Sequence, residues 1–255
     1  MAKKPTTRGR GTQRKKVALV TGGGTGLGRA TANALARDGF TVAVCGRRAD
    51  RLKPKRGEKL HPYACDIADN DSVQQTVKEI LADHGRLDVV VNNAGIMRAE
   101  KIGQIKRSTI DDLVRINLVG TINMSLACIP ALTKTKGHLI MVSSVLSQRP
   151  NAGTSIYSAT KGGVESFAKA LAVELAPKKV RCNVVAPALV ATEIYAHAMD
   201  SRTFNKFLKE RGKVYPIGRA GVPEDISELI AYLASDHTTW MTGVLIPVDG
   251  GRMIG

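Results

Sequence analysis

Aromatic side chains make up only 4% of the 255 residues and there is a single Trp, so a core has to be assembled mainly from Val, Ile, Leu and Ala. Such residues suit parallel strands covered on both faces, which favours an α/β fold over a β-sandwich. Cysteine is almost as scarce. Cys45, Cys65, Cys128 and Cys182 lie far apart in apolar stretches with no C-x-x-C pair, a pattern of reduced core residues that argues against a disulfide framework or a metal site. No run of about 18 apolar residues occurs, and the first apolar stretch, from Val17, runs into glycines instead of a cleavage site. Neither a membrane span nor a secretory signal is supported, and a soluble, cytoplasmic protein is expected.

Acids are also outnumbered, 22 Asp and Glu against 38 Lys and Arg, for a net charge of +16. Residues 1–16 contain seven cations and no acid. They read as a basic disordered tail, with an organelle transit peptide or a nucleic-acid-binding arm as the other readings. The excess positive charge raises the local concentration of phosphorylated cofactors, acidic carrier proteins and nucleic acid without choosing among them.

A hydrophobic share of 43% is ample for one core, and residues 17–255 read as a single domain without repeat or linker. Short β-branched runs alternate with helical patterns. Strands are expected at 17–21, 41–45, 62–65, 87–91, 138–142, 180–185 and 244–248, with helices at 26–38, 71–83, 111–133 and 155–176. Seven strands joined by helical crossovers imply a Rossmann-type, doubly wound parallel sheet with helices on both faces. Between Arg47 and His61 the chain is short, basic and interrupted by Pro54, so any helix there is brief. The longest stretch without a strand signal, 188–215, is expected to form a mobile helical lid.

TGGGTGLG, Thr21 to Gly28, follows the first strand and opens a helix, the arrangement in which backbone N–H groups and a helix N-terminus hold a pyrophosphate. Gly22 permits the tight turn, Gly26 the close approach of the cofactor and Gly28 the packing of helix on strand. After the second strand, where an acid would bind the free ribose hydroxyls of NAD, the chain reads CGRR. Arg47, helped by Arg48, argues for the 2′-phosphate of NADP, with NAD(H) the alternative.

YSATK, Tyr157 to Lys161, puts a phenol and an ammonium on one helical face, and the ammonium is expected to lower the phenol's pKa. Tyr157 would then give a proton to a carbonyl oxygen or take one from an alcohol. Ser144 ends the fifth strand and would hydrogen-bond the substrate oxygen, while turn capping suits Ser143 or Ser147 better. Asn117 within a helix needs a reason: its amide either holds a water that relays protons to Lys161 or bonds a carbonyl of the previous turn.

These motifs, with Asp66, NNAG (Asn92 to Gly95) and the closing VDGG (Val248 to Gly251), resemble the common single-domain type of short-chain dehydrogenase/reductase from about Val17 to Gly251. The resemblance implies a catalytic tetrad of Asn117, Ser144, Tyr157 and Lys161, with Lys161 also bonding the nicotinamide ribose. Asp66 would bond the adenine amino group, Ile67 would pack near it, Asn93 and Gly95 would lie near the adenosine ribose, and Thr192 would contact the carboxamide. Thr25, Leu27, Ala94, Pro187 and Val190 complete the implied cofactor contacts. Leu146 and Asn151 join Ser144 and Tyr157 on the substrate side. A homotetramer through the helices carrying Asn117 and Tyr157 is implied as well. Over its full length the chain looks most like 3-oxoacyl-carrier-protein reductases of fatty acid synthesis, which use NADPH and accept an acidic carrier, and Lys134, Lys136 and Lys178 fall near positions that hold it. A sugar, polyol or steroid alcohol dehydrogenase is the alternative, and an idle NADP-sensing or nucleic-acid-binding protein is another. Two departures stand out, Ala188 where the family usually has Gly and a short segment after Arg48, which would disturb the nicotinamide loop and the adenine side respectively.

Overall fold

The computed structural model describes residues 15–196 and 200–255. The expected basic tail lies outside them except for Lys15 and Lys16, as do residues 197–199 of the expected lid. Seven strands form one parallel sheet in the order β3-β2-β1-β4-β5-β6-β7: β1 Val17–Thr21, β2 Thr41–Gly46, β3 Leu60–Ala64, β4 Val89–Asn92, β5 His138–Val142, β6 Arg181–Pro187 and β7 Leu245–Val248. Each strand sends alternate residues to opposite faces. Val17 and Leu19 join one core with α3 (Asn70–His84), α5 (Gly120–Thr135) and α6 (Ser155–Leu175). Ala18 and Val20 join the other with α1 (Gly26–Arg37) and α9 (Pro223–Ala234). Both faces of the sheet are therefore covered, as the Val-rich strands require.

The strand limits differ from the sequence reading for physical reasons. β3 begins at Leu60 and holds Pro62, which an edge strand tolerates because one side of its backbone needs no N–H donor. The helix expected at 111–133 runs from Arg107 to Thr135, as α4 (Arg107–Leu113), a π-helical segment (Val114–Val119) and α5. By length and composition this stretch could cross a membrane, but half of its apolar window is buried. The brief helix after Arg48 is α2, Ala49–Leu52.

The chain leaves β1 toward β2 on one side and β4 toward β5 on the other, so a crevice opens beyond the C-terminal ends of β1 and β4. The π-helical segment delivers α5 against its rim. At the junction, a Cβ on Gly120 would stand 2.7 Å from Ile67 Cγ1 and 3.2 Å from the Ile67 carbonyl. Gly120→Ala should therefore lower unfolding stability by about 1–2 kcal/mol even after the ~1 kcal/mol that alanine gains in a helix, read as a lower urea midpoint at unchanged slope.

Candidate active site

Gly22 and Gly26 have φ of +67° and +50°, conformations that residues with a Cβ rarely adopt. A Cβ on Gly28 would lie 2.2 Å from the Gly22 carbonyl oxygen, so the turn closes only with glycine there. Thr25 is the N-cap of α1, yet its side chain makes no cap hydrogen bond and no acid stands in the first turn. The N–H groups of Gly26, Leu27 and Gly28 are thus left without intrahelical partners, a cradle suited to a pyrophosphate.

Thr21 couples this turn to the loop after β4. Its Oγ1 accepts from the Asn93 and Ala94 N–H groups at 3.0 Å each, and Asn93 Nδ2 donates to the Thr21 carbonyl at 2.9 Å. Opposite lies the loop after Pro187, tied to the start of α9 by Ala191 N–H to Gly221 O and Gly221 N–H to Leu189 O at 2.9 Å each, with Val190 buried. Thr192 Cβ lies 3.1 Å from where a Cβ on Gly26 would be, which places this loop across the glycine turn. Ala188 is not among the residues with positive φ, so alanine is accommodated there without strain.

On the adenine side, Arg47 and Arg48 are exposed just beyond β2 and form no ion pair with a described residue. Asp66 Oδ1 accepts from the Ala68 N–H at 3.0 Å, while Oδ2 lies 3.9 Å from Arg115, a cation that sequence reasoning did not connect with it. Ile67 is buried beside Asp66.

Asn117, fully buried in the π-helical segment, does not bond a carbonyl of the previous turn. Its Oδ1 accepts from the Ile96 N–H at 2.8 Å and its Nδ2 donates to the Ile96 carbonyl at 2.9 Å. The amide therefore clamps the loop after β4 instead of bonding its own helix, a geometry that the extra residue of a π turn permits. Within that loop Gly95 faces α6, where a Cβ would lie 3.1 Å from Asn117 Oδ1 and 3.6 Å from Lys161 Nζ.

Ser144, Tyr157 and Lys161 converge at the end of β5. Ser144 accepts from the Leu146 N–H at 3.2 Å, so it is Ser144 that caps the 3-10 turn Val145–Ser147, contrary to the preference for Ser143 or Ser147. Its hydroxyl faces the Tyr157 phenol and favours the phenolate. Leu146 is half-buried and Asn151 exposed on the following loop. Lys161 Nζ donates to the Val142 carbonyl at 2.9 Å and lies 5.9 Å from the centre of the Tyr157 ring. The phenol does not shift downward as expected. Burial pushes Tyr157 up to about 12, against the opposing Ser144 hydrogen bond. Burial likewise pulls Lys161 down to about 8, opposed by the charge of Glu165. Desolvation penalises both charged forms, and the ammonium is spent on a carbonyl.

Glu165 is the site residue that sequence reading missed. Its carboxylate, 7% exposed, accepts from Ser143 Oγ at 2.6 Å and Ser147 Oγ at 2.5 Å. An acid beside Val164, on the helix face that continues through Ala168, Leu171 and Ala172, was the available signal.

A family model described as enoyl-(acyl carrier protein) reductase matches residues 22–252. The chain belongs to the short-chain dehydrogenase/reductase family. It is therefore an oxidoreductase of the NAD(P)-dependent kind. It is 34% identical over 246 residues to a 3-oxoacyl-[acyl-carrier-protein] reductase of Thermotoga maritima, covering 94% of this chain and 98% of that one. Among solved structures, the aldohexose dehydrogenase of Thermoplasma acidophilum in ligand-free form superposes with a TM-score of 0.86 at 29% identity, covering 95% of each chain. The 3-ketoacyl-(acyl-carrier-protein) reductase of Brucella melitensis complexed with NADH superposes with a TM-score of 0.85 at 32% identity, covering 94% of this chain and 98% of that one.

The buried lysine has a pH signature. Between about 8 and its ordinary value of 10.5, Lys161 is protonated in the unfolded chain and neutral in the folded one. Stability therefore rises with pH across that window. Compared with Lys161→Met, the wild type should gain on the order of 3 kcal/mol from pH 8 to 10.5, measured by denaturant unfolding at each pH.

Proposed function

We propose that this oxidoreductase uses NADPH to reduce the ketone of a 3-oxoacyl thioester, carried on an acyl-carrier protein, to the secondary alcohol. The observation that carries this reading is the convergence of Ser144, Tyr157 and Lys161 at the sheet edge facing the glycine turn, in a chain one-third identical to 3-oxoacyl reductases. The glycine cradle and the uncapped start of α1 fit a dinucleotide. When bound, the cofactor supplies a hydride to the substrate carbon. Ser144 holds the substrate oxygen, and Tyr157 delivers the proton that the oxygen needs. A phenol held near 12 keeps its proton at neutral pH, which prepares the free enzyme for reduction in preference to alcohol oxidation. Lys161 steadies the negative charge that Tyr157 acquires as it gives up the proton, and Asn117 fixes the loop that faces Lys161.

Arg47 and Arg48 are assigned to the 2′-phosphate, Asp66 and Ile67 to the adenine, Asn93, Ala94 and Gly95 to the adenosine ribose, and Pro187, Val190 and Thr192 to the nicotinamide end. Leu146, Asn151 and a lid at 188–215, which includes α7 (Glu193–Ala196) and α8 (Ser201–Gly212), would select the acyl group. The whole of 17–255 would act as one domain in a cytoplasmic homotetramer. Lys134, Lys136 and Lys178 are exposed at the ends of α5 and of the 3-10 turn after α6, at the sheet edge opposite Tyr157. The structural likeness to an aldohexose dehydrogenase keeps sugar oxidation as the second reading.

Turnover of a short 3-oxoacyl thioester should favour NADPH over NADH and fall at least a hundredfold in Tyr157→Phe, the scale of a lost general acid. Aldohexose oxidation with no thioester turnover would select the second reading. Thioester reduction should decline above about pH 8, as Lys161 loses its proton. The double variant Arg47→Ala, Arg48→Ala should raise KM for NADPH about tenfold or more while leaving KM for NADH nearly unchanged, measured by initial rates.

A further inference from the structure

Outside the residues assigned above, one ionisable side chain is both deeply buried and bonded to the segment that carries Ser144. Glu165 stands one helical turn beyond Lys161 on α6, so the two side chains share a face. Its Oε1 accepts from Ser143 Oγ at 2.6 Å and Ser147 Oγ at 2.5 Å, and Oε2 accepts from Gln148 Nε2 at 3.5 Å. These three donors bracket Ser144. Ser147 Oγ also lies 2.6 Å from the Ser144 carbonyl, so its single proton is shared between that carbonyl and the Glu165 carboxylate.

We propose that Glu165 is a positioning residue, whose carboxylate pins the 143–148 turn so that Ser144 meets Tyr157 and whose charge keeps the Lys161 ammonium protonated. A purely structural role would need only a hydrogen-bond acceptor, which a glutamine supplies equally well. The placement of a carboxylate one helical turn from a buried ammonium, on the same face of α6, serves the second task. Around Lys161, β5 contributes the Val142 carbonyl, the loop after β4 contributes Gly95, the π-helical segment contributes the Asn117 amide and α6 contributes Tyr157 and Glu165. Among the described residues Glu165 is the anion whose charge acts on Lys161: it stands one turn along the same buried face, forms no ion pair with it, and acts to raise its pKa. The catalytic part of the proposal rests on the reductase reading, whereas the Lys161–Glu165 coupling is a property of the protein whatever its substrate.

The test uses the full chain with isotopically labelled lysine and follows the Lys161 signal, assigned by its loss in Lys161→Met, through a pH titration by NMR. In Glu165→Gln the Lys161 midpoint should fall by at least about one pH unit, as expected for the loss of a close opposite charge. An unchanged midpoint overturns the proposal. In parallel, the alkaline limb of kcat/KM for thioester reduction should move down by the same amount in Glu165→Gln. Ser147→Ala should lower kcat severalfold without moving that limb, and an unchanged kcat in Ser147→Ala would overturn the pinning of Ser144. If the wild type reduces no thioester, the reductase reading fails by itself, and the titration still decides the coupling.

Discussion

Lys161 carries its ammonium to a position only 5% exposed, and much of the site is arranged around that fact. An isolated buried charge costs several kcal/mol, which is why the amine is pulled down to about 8 and why every neighbour matters. The Val142 carbonyl at the end of β5 accepts one of its hydrogens, which fixes α6 against that strand. Gly95 leaves room for it on the opposite side, and the loop containing Gly95 is held in place by Asn117 through the backbone of Ile96. Glu165 supplies the compensating charge one turn away. Three elements distant in sequence are thus constrained by one cation, and the phenol of Tyr157 inherits its position from the same helix.

Legibility in the sequence followed how local each determinant is. The glycine turn depends on φ values and close backbone approach within eight residues, so TGGGTGLG could be read with its structural roles attached. The strands were legible from Val-rich runs, with errors at the ends where a tertiary neighbour decides: β3 extends back to Leu60 because β2 offers it partners from Val42 onward. Asn117 was recognisable as anomalous but not interpretable. Its partner, Ile96, lies 21 residues away, and the π-helical turn that aims the amide has no sequence signature. The downward shift expected for Tyr157 failed for a similar reason. The i,i+4 spacing to Lys161 shows that the two side chains are neighbours, but the balance between attraction and desolvation depends on burial, which the spacing does not contain.

The scaffold does not decide the substrate. An aldohexose dehydrogenase and a 3-ketoacyl reductase superpose on this chain almost equally well, with TM-scores of 0.86 and 0.85. Selectivity must lie in the side chains mounted at the crevice rim, because the backbone is shared. Here the rim consists of the loop through Leu146 and Asn151 and the segment after Pro187. Both are anchored by backbone hydrogen bonds: in the first, Arg149 N–H bonds the Val145 carbonyl at 2.8 Å and Thr154 N–H that of Asn151 at 3.1 Å; in the second, Ala188 N–H bonds the Val248 carbonyl at 3.2 Å and Ala191 N–H that of Gly221. Side chains there can change without disturbing the sheet, and this gives one fold access to thioesters and sugars alike.

The two edges of the sheet hold different kinds of buried polar group. At the N-terminal edge, Asp88 accepts from the Val17 N–H and from Arg86, while His138 places Nδ1 against the Leu233 carbonyl and Nε2 against Asn183 Nδ2, both at 2.9 Å. An imidazole that donates through Nδ1 and accepts at Nε2 is neutral, and burial beside Arg181 holds its pKa near 3, so His138 stays neutral at physiological pH. At the C-terminal edge, Asn92 Oδ1 is buried without a partner among the described residues, and Tyr157 and Lys161 are both moved far from their ordinary values. Saturated polar groups stabilise a fold, whereas groups left unpaired or shifted retain free energy that a ligand can recover on binding. The groups left unpaired or shifted thus gather where the ends of β4 and β5 meet α6.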